Sequence, residues 1–121
     1  MTTKQLLDVR QSGVHQLTGP PEEIEQAARQ AGLAVFRIDA GHARSKKALL
    51  DSIATALHFP DWFGNNWDSL NDCLTDLDWL PTKTGYVLIF ENMHNFDEAL
   101  EVFRAVSEYW RAEGRPFWVF V

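Results

Sequence analysis

One cysteine, Cys73, stands among 121 residues, so an intrachain disulfide framework is excluded. That usage fits a reducing, intracellular compartment, and a cytoplasmic location is expected. No stretch approaches the roughly 20 consecutive apolar residues that cross a bilayer, so no membrane role is expected. The start, "MTTKQLLDVR", has no long apolar run after a basic segment and does not read as a signal peptide. Repeats and low-complexity tracts are absent. So are a glycine-rich phosphate loop, a serine nucleophile elbow and a Cys/His cluster. The four histidines (His15, His42, His58, His94) show no metal-ligand spacing. The expectation is therefore a protein that is not an enzyme and needs no cofactor or metal.

The most informative absence is of positive charge. No Lys or Arg occurs between Lys47 and Lys83. That interval holds Asp51, Asp61, Asp68, Asp72, Asp76 and Asp78, which together equal the net charge of −6. The rest of the chain is neutral. A field so localised repels nucleic acid and attracts a basic partner.

The length suits one domain, large enough to bury a core without disulfide or metal support. Pro and Gly fall at element boundaries. "SGVHQLTGPP" reads as a short strand, about 13–17, ended by a turn. "PPEEIEQAARQAG" reads as a helix, with Pro at its start, acids in its first turn and Gly32 at its stop. "LAVFRIDA" (33–40) and "YVLIFE" (86–91) are apolar strands. "SKKALLDSIATALHF" (45–59) sets Leu49, Leu50, Ile53 and Leu57 on one helical face, with Ser45 as N-cap. "NFDEALEVFRAVSEYWRAEG" (95–114) is a helix in which Asn95 and Glu98 have capping-box spacing. "FWVFV" (117–121) reads as a strand buried on both faces. Strands alternating with helices predict an α/β fold with a parallel sheet. Three strands form its centre, and 13–17 is a possible fourth at the edge.

The pattern predicts one more helix over 66–78, with Asn66 as N-cap. At about 100° per residue, Leu70, Cys73, Leu74 and Leu77 form an apolar stripe. Asp68, Asp72 and Asp76 follow at i, i+4 and i+8 on the opposite side, flanked by Asn71 and Thr75. Like charges at this spacing cost roughly 0.2–0.5 kcal/mol per pair. A solvated acidic face kept for solubility is the plain reading. The concentration of the whole net charge here favours a binding face instead. The preceding "HFPDWFGNN" reads as a loop turning at Gly64–Asn65. In it Trp62 is expected exposed, as an anchor for a protein partner. Phe63, Trp67 and Trp79 are expected in the core or at its rim. Asp68 and Asp72, one turn apart, could hold Mg²⁺ with His58, His94 or Glu91, but the signal is weak. Cys73, on the apolar stripe, reads as a buried thiol rather than a nucleophile.

"LHFPDWFGNNWDSLNDCLTDL" resembles the signature of the barstar family, the intracellular inhibitors of small secreted bacterial ribonucleases. The shared pattern appears as Phe59-Pro60, Trp62-Phe63-Gly64, Asn66, Asp68, Leu70 and Asp72-Cys73-Leu74. The resemblance covers about residues 33–121, which implies a barstar-like domain there and an N-terminal extension over 1–32. It implies a three-stranded parallel sheet packed by helices, and a helix and loop that plug a ribonuclease active site. The implied partner is a small basic ribonuclease, or another basic toxin, bound by a monomer. The implied contacts are Trp62, Asp68, Asp72 and Thr75; Asn66, Asn71 and Asp76 complete the candidate face. The pattern departs from the family at three positions. Asn71 stands where a well-known member has Trp, Asp76 where it has Gly, and Ala105 where it has Glu. The alternatives are an acidic-face immunity protein for a different basic partner and, less well supported, a Mg²⁺ enzyme.

Overall fold

The computed structural model describes residues 1–93 and 96–121. His94 and Asn95 lie outside the described residues, and with them the Asn95–Glu98 capping box and any role of His94.

The chain opens with a short helix, α1 (Thr3–Leu7), started by a reciprocal capping box between Thr2 and Gln5. Composition gave no hint of it. A 3-10 turn (Val9–Gln11) leads to β1 (Gly13–His15). Next come α2 (Pro21–Gln30), β2 (Ala34–Asp39) and α3 (Lys46–Leu57). α4 (Trp67–Leu74), β3 (Tyr86–Glu91), α5 (Asp97–Ala112) and β4 (Phe117–Phe120) complete the order.

The sheet is parallel throughout, in the order β1-β4-β3-β2. The edge strand foreseen at 13–17 is therefore real, though only three residues long. The central strands are buried on both faces, and alternate residues serve different layers. Tyr86, Leu88, Phe90, Phe117 and Val119 pack with α3, α4 and α5. Val87, Ile89, Trp118 and Phe120 pack with Leu6 of α1 and Ile24, Ala27 and Ala28 of α2.

Three indoles close helix ends. A helix leaves its last carbonyls unpaired, and buried ones need a donor. Trp79 Nε1 donates to Leu57 O of α3 (2.9 Å), Trp110 Nε1 to Leu74 O of α4 (2.8 Å), and Trp118 Nε1 to Leu6 O of α1 (2.8 Å). The last of these bonds spans nearly the whole chain. Arg111 adds another, donating to Ser12 O at 2.6 Å.

Candidate partner-binding face

α4 is shorter than the sequence pattern predicts. It begins where expected: Asn66 Oδ1 accepts from Ser69 N at 2.7 Å. It ends at Leu74 rather than at Asp78. The Thr75 hydroxyl donates to Asn71 O at 2.8 Å, competing at the last turn. Leu77 then adopts a left-handed conformation (φ 51°), which reverses the chain and buries its side chain completely. Burying a Leu contributes about 1.5–3 kcal/mol, enough to offset a left-handed residue costing about 1–3 kcal/mol. The apolar stripe of Leu70, Cys73, Leu74 and Leu77 is fully buried as the wheel requires. Burial, and then the charges of Asp72 and Asp76, push the Cys73 thiol up to about 11.

The loop before α4 is braced on both sides. Gly64 N donates to Ser69 Oγ at 2.8 Å, and Asn66 Nδ2 donates to Gly64 O at 3.2 Å. The left-handed residue of the turn is Asn65 (φ 53°), which Asn tolerates better than most side chains. Phe59 packs edge-on against Phe63 (4.9 Å between centroids) and Trp79 (5.9 Å), anchoring the loop. Trp62 takes no part in this cluster and is 54% exposed. Trp67 is half-buried, with Lys46 Nζ 5.3 Å from its ring centroid. Its indole N–H is buried without a partner among the described residues.

Asp68 and Asp72 are exposed on one face of α4, and Asp76 is exposed just past its end. The three do not form the continuous helical ladder expected, because Asp76 follows the helix. Asp51 and Asp78 leave the set of free charges by pairing across the ends of the acidic interval, with Lys47 (2.8 Å) and Lys83 (3.5 Å). Among the described residues, Asp61, Asp68, Asp72 and Asp76 have no ion-pair partner. Asn71 and Thr75 are half-buried beside them. The Asn66 side chain is engaged in the cap and the loop brace, so its place in the site is to hold the backbone.

Two acidic residues beyond the interval join this surface. An open groove of about 280 Å³ runs between α4 and α5. Trp67, Asp68 and Asn71 line one side; Glu98, Glu101, Val102 and Ala105 line the other. Sequence reasoning missed Glu98 and Glu101 because it counted charge along the chain. Their spacing on the helix at 95–114 was the available signal. No group of three or more His, Cys, Asp or Glu able to hold a metal ion occurs among the described residues.

A comparison with curated proteins finds no match. The family described as Barstar (barnase inhibitor) matches residues 33–121, which include the whole acidic face, β2 to β4 and α3 to α5. The chain belongs to the barstar family.

Proposed function

We propose that this protein inhibits a small basic ribonuclease of the barnase-like type by plugging its active site with α4 and the loop before it. The family it belongs to is described as one of barnase inhibitors, which supports an inhibitor rather than an enzyme. One observation carries the reading: Asp68 and Asp72 stand exposed on one helical face, without an ion-pair partner among the described residues. A helix selected for stability alone would carry Lys or Arg within reach. Their counter-ions then belong to the partner, where carboxylates take the place of RNA phosphates against Lys, Arg and His. Trp62, exposed on a braced loop, supplies the aromatic anchor at low entropic cost. Asn71, Thr75 and Asp76 extend the contact along and past the helix. The inhibitor acts as a cytoplasmic monomer without cofactor, and nucleic acid is repelled by the same face.

A second reading keeps the face and changes the partner to another basic toxin. The position of negative charge favours it. Asp76 adds a carboxylate past the helix, and Glu98 and Glu101 bring theirs to a groove in which Ala105 carries none.

The test is a titration into small secreted bacterial ribonucleases, read by RNA cleavage, for wild type and Asp72→Ala at low and moderate salt. Stoichiometric inhibition that is lost in the variant, with association slowing as salt rises, supports the proposal. Inhibition retained in Asp72→Ala sinks the assignment of the face. No inhibition across the panel moves the partner to another basic toxin, sought by pull-down with the same variant as control.

A further inference from the structure

The strand order ends on β2, so β2 is an open edge of the sheet. Its inner side is engaged with β3: Ala34 N donates to Gly85 O (3.0 Å) and Ala40 N to Glu91 O (2.9 Å). Bonding in a parallel strand alternates every second residue. The backbone groups of Val35, Arg37 and Asp39 therefore point outward. Among the described residues no strand, loop or side chain bonds them. An open groove of about 370 Å³ lies alongside, walled by Asp51, Ser52 and Thr55 of α3. A regular, mostly apolar edge of this kind is a template for pairing with another chain. The opposite edge, β1, is only three residues long and offers much less.

One cation sits in the middle of β2. Arg37 binds Glu91 of β3 at 2.6 Å and, from α2, Glu25 at 3.2 Å and Glu22 at 3.3 Å. Glu25 also binds Arg29 at 2.8 Å. The cluster thus keeps one more carboxylate than guanidinium, and all of it lies on one face of the edge strand. We infer that the Arg37 cluster guards the β2 edge against pairing with a second copy of this chain. Antiparallel pairing through the outward groups sets odd residues against odd residues. In the three registers that pair Arg37 with an outward residue, it lies directly opposite its counterpart (37 with 37) or diagonal to it (37 with 35 or 39), within about 4.5–8 Å. Asp39, which faces Arg37 in the last, already accepts from Gly41 N at 2.9 Å. Two guanidiniums then meet on one face, each ringed by carboxylates that repel the other ring. This inference is independent of what α4 binds.

The test is sedimentation velocity on the full chain over a concentration series, with thermal melting to confirm folding. Wild type is expected to be a monomer. Arg37→Val is expected to dimerise with a dissociation constant at least about tenfold lower. Because that change leaves Glu22 and Glu91 without a partner, while Glu25 keeps Arg29, a companion variant adds Glu22→Gln and Glu91→Gln to it. In both backgrounds, a further Val35→Pro should abolish the dimer. Its N–H faces outward, so the substitution removes no bond to β3. Either variant folded and still monomeric at the highest concentration overturns the inference. So does a dimer that survives Val35→Pro, since it must form elsewhere.

Discussion

Trp110→Phe tests how the acidic helix is held. α4 has eight residues, too few to be stable alone in water. Its carboxylates are oriented by its two ends, the Asn66 cap and the Trp110 indole on Leu74 O. Trp110 is buried, against Tyr86 (5.1 Å) on one side and with the Arg115 guanidinium 5.3 Å from its ring centroid. Phe keeps most of the ring and removes the donor. Leu74 O then has no partner among the described residues, and an orphaned buried acceptor costs about 1–3 kcal/mol. The void left by the missing ring atoms adds about 1 kcal/mol. The expected loss is therefore roughly 2–4 kcal/mol. At about 2.1 cal/mol/K of unfolding entropy per residue, that lowers Tm by roughly 8–16 °C for a chain of this length. Calorimetry gives the total, and amide hydrogen exchange gives the location. Exchange should accelerate in the last turn of α4 beyond what the global loss explains. The half-buried Trp79, with its 2.9 Å bond to Leu57 O, is the comparison: Trp79→Phe should cost less and leave α4 exchange alone. A loss under about 1 kcal/mol, with α4 exchange unchanged, would refute the reasoning, because the carbonyl would then have found water at no cost.

Cys73 should report unfolding rather than react in the native state. Its thiol is raised to about 11 while an unfolded thiol ionises near 8.5. The folded form thus keeps a proton that the unfolded form has released. This contribution to stability is complete below the unfolded value and is lost as pH climbs to about 11. The denaturation midpoint should fall between pH 8 and pH 10.5 in wild type and fall less in Cys73→Ala. A thiol reagent that labels native protein at the free-thiol rate at pH 8 would contradict this. Deleting residues 1–32 should abolish cooperative unfolding of 33–121, since it uncovers Trp118 and Phe120, leaves the indole of Trp118 without an acceptor and opens the β4 edge. A truncated chain that melts cooperatively near the wild-type temperature would count against that dependence.

The elements that periodicity identified are those whose cause is local. Ser45 and Asn66 cap α3 and α4 because a side-chain oxygen three residues away suffices. Leu49, Leu50, Ile53 and Leu57 are buried because they share a helical face. The end of α4 was not legible for the opposite reason. Leu77 continues the apolar period, so a wheel carries the helix through it. What stops the helix is a left-handed residue whose burial depends on packing brought in from elsewhere.

The acidic face shows the same division. Its exposed aspartates follow from amphipathicity, but which charges remain free depends on pairing. Lys47 and Lys83 remove Asp51 and Asp78, while α5 returns Glu98 and Glu101. The tryptophans carry the point furthest. Composition can count five of them, and the loop sequence can single out Trp62 as exposed. Nothing local says that Trp118, near the chain's end, completes a helix at its start, or that Trp110 holds the end of the helix that carries Asp68 and Asp72. Those bonds exist because a parallel sheet brings distant segments side by side, and each indole then meets a carbonyl that its own helix could not satisfy.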